Sequence, residues 1–258
     1  MSTPQTSSSS PCEQAAHLGG RRATVTVGVI IPTLNEASII ETTLQLTKQL
    51  GFDEIIVVDG GSADRTNVLV DTIAGSPNAA STPVRRLTAC VGRAAQLNAG
   101  ARACQHDVLL FLHADSHLPV DAKRLIDLAL ADPQVAGGRF DLRFDRPSMW
   151  GRVISLFMNM RSRLSRISTG DQAIFVRRHV FEQLGGFPDI PIMEDIEFSA
   201  RLKRTGRTVA LRSCVTTSFR RWQRRGPLRT ILLMWLLRFL YWIGVSPHRL
   251  ASLYADVR

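Results

Sequence analysis

Apolar runs that stop at polar segments alternate with helical segments over the first half of the chain, and this pattern constrains the fold most. The runs "TVTVGVIIP", "EIIVVD" and "VLLFLHAD" are rich in β-branched and other apolar residues, as in buried strands. Segments 37–50 and 64–74 between them carry apolar residues at helical spacing. Strands that alternate with helices predict right-handed βαβ units, and hence an α/β fold with a Rossmann-like, mostly parallel central sheet flanked by helices.

The second half of the chain is less regular. The stretch "AGGRFDLRFD" alternates like an exposed or edge strand, "SMWGRVISLFMNMRSRLSR" predicts an amphipathic helix, and "TGDQAIFVRR" predicts another strand. The Ser-rich residues 1–24 lack the apolar region of a signal peptide and predict a disordered lead-in. We expect one domain over residues 25–225 and a hydrophobic helical segment over 226–258.

The net charge of +10 on 258 residues fits nucleic acid, an anionic membrane surface or a phosphate-bearing ligand. The basic residues crowd into the second half of the chain without the interleaved aromatic residues of a base-stacking surface, and no DNA- or RNA-binding motif appears. We therefore predict no nucleic-acid partner. The cysteines lack zinc-site or redox spacing and predict reduced thiols in the cytosol: Cys12, Cys90, Cys104 and Cys214.

Polar residues follow three of the predicted strands. The first strand delivers Pro32, Thr33, Asn35 and Glu36, the second delivers Asp59, Gly60, Gly61 and Ser62, and the fourth delivers His113, Ala114 and Asp115. Any one of these residues could simply cap the next helix. In an open α/β sheet, however, ligands bind beyond the carboxyl ends of the strands, so three polar sets at one edge predict a binding site.

The chemistry of these strand ends limits the classes of ligand that the site could bind. The sequence contains neither GxGxxG nor a GxxxxGK[ST] P-loop, which argues against a dinucleotide or Walker-type site. A carboxylate after one strand and a His-x-Asp after another suit a nucleoside with a metal-bound diphosphate. Mg²⁺ or Mn²⁺ is typically held in such sites by one or two carboxylates together with substrate phosphates.

Six segments together resemble family 2 glycosyltransferases of the GT-A fold, in order and approximate spacing: "VGVIIPTLNE", "EIIVVDGGSADRT", "GRAAQLNAGA", "LLFLHADSHLP", "GDQAIFVRR" and "MEDIEFSARLKRTGR". The resemblance covers most of residues 25–225. It implies an enzyme that transfers a sugar from a UDP- or GDP-linked donor to an acceptor hydroxyl, with inversion. The stretch "FPDIPIMEDIEF" and the C-terminal segment further resemble a bacterial branch associated with arsenosugar biosynthesis and radical-SAM/selenodomain proteins.

The resemblance assigns roles to residues of the donor site. Asp115 matches the last acid of the family's DxD motif and would hold Mg²⁺ or Mn²⁺ on the donor diphosphate; a helix-capping Asp is the alternative. Asp59 matches the carboxylate that contacts the donor base. Glu36 lies where the first loop meets the nucleoside, or else is a solvated acid favourable to the helix dipole. Arg93 and Asn98 join the predicted donor site.

Asp195 in "MEDIEF" matches the family's general base, which takes the proton of the acceptor hydroxyl. The predicted acceptor and diphosphate region also contains Gly170, Asp171, Glu194, Arg221 and Trp222. On a helix, positions 194 and 197 are neighbours while 195 points elsewhere, so one acid can face the cleft while the others face solvent or Arg201. The alternative is that all three acids form an exposed charged face.

The sequence departs from the family pattern at three positions. His113 replaces the first Asp of DxD, and we expect it either to ligate the metal or to hydrogen-bond a neighbour. Gly60 stands where a second acid often follows Asp59. Ser218 replaces the Gln of the QxxRW motif of processive relatives, which leaves only Arg221 and Trp222 and predicts transfer of a single sugar.

The run "TILLMWLLRFLYWIGV" is shorter than the roughly 20 apolar residues of a spanning helix, and Arg238 interrupts it. Its Trp and Tyr residues favour a membrane interface, from which Arg238 could snorkel to water. This predicts a cytoplasmic enzyme bound peripherally to the inner face of the plasma membrane. The alternatives are a helix packed on the domain or in a homodimer, and a non-catalytic membrane-associated scaffold that kept the fold.

Overall fold

The computed structural model describes residues 25–76, 82–146, 148–220 and 226–255. Within them the strands are β1 (Val27–Thr33), β2 (Glu54–Asp59), β3 (Val84–Thr88), β4 (Val108–Phe111), β5 (Ser116–His117), β6 (Val135–Phe144), β7 (Ile174–Arg177) and β8 (Arg207–Thr217). The helices are α1 (Ile40–Lys48), α2 (Thr66–Ala74), α3 (Arg93–Ala103), α4 (Ala122–Leu130), α5 (Met149–Ser165), α6 (Arg178–Gln183), α7 (Glu194–Thr205), α8 (Pro227–Trp242) and α9 (Pro247–Ala255). The predicted lead-in, Cys12, Arg221 and Trp222 lie outside the described residues.

These strands form one sheet in the order β3-β2-β1-β4-β7-β6-β8-β5. The first four strands in this order are parallel, β7 is antiparallel to both β4 and β6, and β6 runs parallel to β8. The α/β prediction is confirmed. Because β1 lies between β2 and β4, the connections diverge at β1, and the crevice beyond the carboxyl ends of β1, β2 and β4 is where such a sheet binds its ligands.

The continuous apolar runs follow from burial of both sheet faces. Along β1, Val29 and Ile31 pack into one hydrophobic cluster while Ile30 packs into the other, on the opposite face. The same alternation holds in β4, where Leu110 belongs to the first cluster and Leu109 to the second. A parallel strand covered by helices on both faces has no solvent side, so its sequence shows no polar alternation.

The prediction that "AGGRFDLRFD" forms an exposed or edge strand is wrong. It forms β6, which lies between β7 and β8 and is buried over its first eight residues. Its alternating polar residues are compensated internally, because Arg139 donates to Asp141, and Arg163 from α5 bonds the same carboxylate. Ion pairing allows these charges to be buried, so alternation here does not indicate a solvent face.

Helices α8 and α9 pack on the rest of the chain. Leu237 and Leu250 are buried against Met193, which directly precedes α7, and Ile196 packs against the same cluster. The alternative in which the C-terminal helix packs on the domain is thereby confirmed for one side of α8. The other side exposes large apolar side chains, among them Trp242 at 82%. Among the described residues, no helix combines the length and hydrophobicity needed to cross a membrane.

The described cysteines, Cys90, Cys104 and Cys214, are free thiols, which agrees with the prediction of reduced cysteines. Cys104 is buried at the end of α3, close to Gly28, where an added Cβ would lie 2.3 Å from its sulfur. Burial raises the pKa of the Cys104 thiol. This cysteine is therefore an apolar packing residue of the core.

Candidate active site

The loops after β1 and β2 are joined by hydrogen bonds across the predicted binding edge. The Gly60 amide donates to the Thr33 carbonyl at 2.9 Å, and the Asn35 amide donates to the Ser62 hydroxyl at 2.8 Å. The Asn35 side chain in turn accepts from the amide of Ala63 at 2.9 Å. The structure therefore brings together the polar sets that follow the first two strands, although they are far apart in sequence.

Asp59 is the centre of the second loop. It is 1% exposed, and its carboxylate accepts from the amides of Gly61 and Ser62, from the Ser62 hydroxyl, from Asn67 and from Thr33. Burial raises the pKa of Asp59, but these hydrogen bonds outweigh it and hold the pKa below its usual value. A carboxylate offers about four lone-pair sites, so a base contact would have to displace one of these donors.

Gln96 was missed by the sequence analysis. From α3, its amide nitrogen donates to the carbonyls of Thr33 and Val58 at 2.8 Å each, which ties the ends of β1 and β2 together. A Cβ at Gly60 would lie 3.1 Å from the Gln96 amide group, so glycine at position 60 makes room for this side chain. A polar residue within a small-residue helix gives no sequence signal that it is buried.

Three other predicted donor residues occupy different surroundings. Pro32 lies within β1, opposite Val58 of β2. Glu36 precedes α1, and its carboxylate lies 3.8 Å from the Arg220 guanidinium. The side-chain amide of Asn98 is bound at both ends to the backbone of Phe187, at 2.8 and 2.9 Å. Asn98 therefore holds the segment between α6 and α7.

The turn after β4 carries His113, Ala114 and Asp115. The Ala114 carbonyl accepts from the Thr43 hydroxyl of α1 at 2.6 Å, which fixes the turn against the first helix. Asp115 is half-buried, and within the described part of the chain its carboxylate accepts only a 3.5 Å contact from Ser116. The helix that follows begins at Ala122, so Asp115 does not cap it.

Asp115 can provide one ligand of a divalent-cation site, and the substrate would have to supply further ligands. Among residues 25–76, 82–146, 148–220 and 226–255, no three His, Cys, Asp or Glu side chains form a metal-binding group. Mg²⁺ and Mn²⁺ sites with one or two carboxylates take their remaining oxygens from phosphates and water. Asp115 has the uncommitted carboxylate for such a site, at the edge where a diphosphate is expected.

His113, Gly170 and Asp195 meet at one point, although they come from three separate segments. The Gly170 amide donates to Asp195 Oδ2 at 2.7 Å, and the Ile196 amide donates to Oδ1 at 2.7 Å. A Cβ at Gly170 would lie 2.6 Å from His113 Nε2 and 3.6 Å from Asp195 Oδ2. The predicted base thus lies directly beside the turn that carries Asp115.

The three acids at the start of α7 have three different environments. Glu194 is 2% exposed and accepts from Arg93 at 3.2 Å, whereas Glu197 pairs with Arg201 at 3.1 Å on the outer side of the helix. Burial raises the pKa of Glu194 and the Arg93 charge opposes that rise. The alternative in which all three acids form an exposed face is therefore wrong.

Two arginines that the sequence analysis did not assign to the site interact through their charges with Asp171 and Asp195. Arg161 comes from α5 and Arg238 from α8. Burial raises the pKa of Asp171, while a hydrogen bond from Thr169 lowers it. Burial lowers the pKa of Arg238, and the charges of Asp195 and Asp171 oppose that change.

Comparison with known proteins identifies the family of the chain. The family model described as Glycosyl transferase family 2 matches residues 28–185, more than half of the chain. The matched segment includes the loops after β1 and β2, the Asp115 turn and Gly170. The chain therefore belongs to glycosyl transferase family 2.

Two curated relatives are similar over shorter stretches. A probable glycosyltransferase, YdaM, of Bacillus subtilis is 28% identical over 197 residues, which is 70% of this chain and 47% of the relative. An undecaprenyl-phosphate 4-deoxy-4-formamido-L-arabinose transferase of Pectobacterium carotovorum is 33% identical over 150 residues, 54% of this chain and 43% of the relative. The chain thus matches less than half of the length of each.

Solved structures share the fold. One is the mannosyltransferase PcManGT from Pyrobaculum calidifontis, in complex with GDP-Man and Mn²⁺. It superposes on this chain with a TM-score of 0.63 at 23% sequence identity, and the match covers 83% of this chain and 60% of the PcManGT chain. TarS 1-349 of S. aureus in complex with UDP-GlcNAc gives a TM-score of 0.59 at 18% sequence identity. The match covers 75% of this chain and 58% of the TarS chain. The fold is that of the GT-A glycosyltransferases.

Proposed function

We propose that the chain transfers a single sugar from a UDP- or GDP-linked donor to an acceptor hydroxyl, with inversion at the anomeric carbon. The observation that carries this proposal is the meeting of His113, Gly170 and Asp195. It sets a carboxylate beside the edge where the diphosphate would lie. The nucleotide sugars bound by PcManGT and TarS support the donor class.

Asp195 is suited to act as the base. Its two oxygens are oriented by the amides of Gly170 and Ile196, so the carboxylate has a fixed direction before the acceptor arrives. In the proposed step the acceptor oxygen bonds the anomeric carbon, the bond from that carbon to the diphosphate oxygen breaks, and the hydroxyl proton moves to Asp195. The diphosphate leaves with the bonding electron pair.

Asp115 would hold Mg²⁺ or Mn²⁺, and His113 is the candidate second ligand, with a hydrogen bond to a neighbour as the alternative that the sequence leaves open. When bound, the cation would stabilise the negative charge that develops on the diphosphate. The Mn²⁺ in the PcManGT complex supports this cofactor class. His113 also packs against Gly170, so its ring links the turn that carries Asp115 to the base.

The finer assignments rest on sequence patterns. Ser218 in place of the processive Gln favours transfer of one sugar per acceptor. A role in arsenosugar or related small-molecule glycoside synthesis follows only from the branch resemblance and stays a prediction. Arg221 and Trp222, predicted for the acceptor and diphosphate region, lie outside the described residues.

The decisive experiment compares Asp195→Asn with Glu197→Gln, which removes a charge from the same helix on its outer side. Donor candidates are UDP- and GDP-sugars with Mn²⁺, and both donor affinity and turnover are measured, with hydrolysis by water as the minimal reaction. We expect Asp195→Asn to lower turnover by about 10²- to 10⁴-fold with donor affinity nearly unchanged. Glu197→Gln should stay near wild type. Loss of donor binding in Asp195→Asn would place this residue in the donor pocket instead.

We also propose that the enzyme binds peripherally to the inner face of the plasma membrane. The helices α5 and α8 contain arginines and no acidic residue, and they expose a set of large apolar side chains: Met149, Trp150, Leu156, Phe157, Leu164, Leu232, Trp235, Leu236, Phe239 and Trp242. Exposed Trp residues next to cationic groups suit an anionic lipid interface. The lipid-linked substrate in the name of the Pectobacterium relative is consistent with this location.

Flotation with anionic vesicles tests the membrane proposal. We expect the chain to co-float with phosphatidylglycerol vesicles at low salt, to release at high salt, and to lose binding on Trp235→Ser with Trp242→Ser. Val120→Ser, which removes an exposed apolar side chain on the segment before α4, is the control. A chain that stays unbound but forms a dimer would assign the apolar surface to a homodimer interface.

A further inference from the structure

A cavity of about 240 Å³ is lined by residues of α5, α7 and the first halves of β6 and β8. Strands β6 and β8 run in the direction of β4, because β7 is antiparallel to β4 and β6 while β6 is parallel to β8. Their carboxyl ends therefore point towards the edge that carries Asp115, whereas the cavity lies near their amino ends. On α7 its lining residues, Ser199 and Leu202, come about one and two turns after Asp195. The cavity is thus separate from the predicted donor edge.

The wall of this cavity is basic. It contains Arg139, which is 2% exposed, together with Arg163 from the last turn of α5 and Arg166 directly after that helix. None of the described residues that line the cavity is acidic. Asp141 pairs with both Arg139 and Arg163, so three guanidinium groups and one carboxylate leave a net charge of +2. Burial lowers the pKa of Arg139, and the charge of Arg163 adds to that change while Asp141 opposes it.

Several hydrogen-bond donors of the wall have no partner. Arg166 forms neither a hydrogen bond nor an ion pair with any described residue. Arg163 bonds Ala210 and Asp141 through its two terminal nitrogens, which leaves its Nε–H without a partner in the described ranges. Ser162 is 2% exposed, and its buried hydroxyl also bonds nothing in the described part of the chain. Buried polar groups are rarely left without a partner, so these donors indicate a ligand.

We propose that this cavity binds a phosphate group of a small molecule, at a site separate from the donor diphosphate. Guanidinium groups bind phosphate through charge-assisted hydrogen bonds, and the several oxygens of one phosphate can accept from Arg163, Arg166 and the Ser162 hydroxyl together. The volume is below the roughly 300–1,000 Å³ of pockets for drug-sized ligands, which favours a small anion. The assignment does not depend on the proposed function.

The test is calorimetric titration of inorganic phosphate into the full chain, with and without saturating UDP or GDP and Mn²⁺. We expect one phosphate per chain under both conditions and about a tenfold loss of affinity in Arg166→Gln, which loses a charge-assisted contact. Arg152→Gln is the matched control, because it removes an exposed arginine from the first turn of α5, about 20 Å away along the helix. It should bind phosphate like the wild type. Equal affinity in all three proteins, or an equal loss in both variants, would overturn the site.

A second variant removes the unpartnered hydroxyl. Ser162→Ala should melt no lower than the wild type without phosphate, because it deletes a buried donor that makes no hydrogen bond, yet its phosphate affinity should fall. Ser155→Ala is the control on the same helix, since its hydroxyl already donates to the Arg152 carbonyl at 3.0 Å. Its phosphate affinity should stay at the wild-type value. Wild-type phosphate affinity in Ser162→Ala would contradict the proposal.

The cavity adjoins the segment that orients Asp195. Ser168 lines the cavity, and its carbonyl accepts from the Ser199 hydroxyl at 3.1 Å. Two residues further on, the Gly170 amide donates to Asp195 at 2.7 Å. Because a bound ligand opposes local opening, we expect phosphate to slow amide hydrogen exchange over residues 166–170 in the wild type and not in Arg166→Gln. Unchanged exchange of this segment at saturating phosphate would count against the site.

Further arms identify the source of the phosphate and separate this site from the donor site. Glycerol phosphate that binds more tightly than inorganic phosphate would assign the cavity to a phosphate ester, and weaker binding would assign it to the free ion; both support a phosphate site. Acetate that binds as well as phosphate would overturn the phosphate assignment. UDP and GDP should bind Arg166→Gln and the wild type equally, and a loss of nucleotide affinity in this variant would overturn the separation from the donor site. If the wild type binds no nucleotide, the proposed function fails, whereas the titration without nucleotide still decides this proposal.

Discussion

Gly170→Ala probes the contact between the base and the turn that carries Asp115. The backbone of Gly170 is not left-handed, so alanine is conformationally allowed there, but its Cβ would lie 2.6 Å from His113 Nε2. Since favourable contacts are about 3.5–4.0 Å, the imidazole ring must move by about 1 Å. Overpacking of this kind costs about 1–3 kcal/mol, partly offset by the smaller backbone entropy of alanine in the unfolded chain.

The effect on the reaction should exceed the effect on stability. Gly170 lies against His113 and its amide donates to Asp195, so a shift of about 1 Å at this position disturbs the base and the diphosphate edge together. A displacement of that size can lower a rate by about a hundredfold. We expect Gly170→Ala to lose most turnover while it melts only a few degrees below the wild type, at about 2–4 °C per kcal/mol.

A double-mutant cycle with His113→Ala isolates the clash. Removal of the ring gives the new methyl group its space, so the cycle should show a coupling of about 1–3 kcal/mol in unfolding free energy. Gly151→Ala is the matched control, because its nearest atoms would lie at 3.6 Å and it sits in the first turn of α5. Additive free energies, with wild-type turnover in Gly170→Ala, would refute the contact.

Two further predictions concern single acids. Asp115→Asn should abolish most metal-stimulated turnover yet keep the Tm, because the Asp115 carboxylate makes only a 3.5 Å contact. The control is Asp121→Asn, which changes an acid that is paired with Arg124. Wild-type turnover in Asp115→Asn would contradict the metal site. For Asp171, burial raises the folded pKa above its ordinary value of 3.8, so its contribution to stability is fully present below that pH and is lost as pH rises through the folded pKa. Urea unfolding from pH 4 to 8 should show the wild type losing stability relative to Asp171→Asn; the opposite slope would contradict the burial.

The binding edge could be predicted because its signals are local. A strand buried on both faces must be continuously apolar, and the change to polar residues at Thr33, Asp59 and His113 marks where each strand leaves the sheet. The parallel arrangement of β1, β2 and β4 then brings these ends to one edge. The sequence did not show that the Asp59 carboxylate already accepts several hydrogen bonds, because two of its donors, Thr33 and Asn67, lie outside its own loop.

The remaining elements depended on long-range packing. β6 has the alternation of an edge strand, yet it is interior because Arg163 from α5 helps to neutralise Asp141. The partly exposed residues of β8 show no strand pattern, and this strand is specified by its pairing with β6. Local periodicity reports which side of an element is apolar, but it carries no information about a compensating charge on another element.

The sequence by itself determined the α/β sheet, its ligand edge and the resemblance to family 2, since each is encoded in short runs of neighbouring residues. The tertiary structure decided which charges meet at the base. Arg93 reaches Glu194 across 101 residues, and the charge of Arg238 from α8 interacts with those of Asp171 and Asp195. Such meetings depend on long-range packing, as where α8 packs on Met193 and Ile196 at the start of α7, because a side chain finds its partner through space and not along the chain.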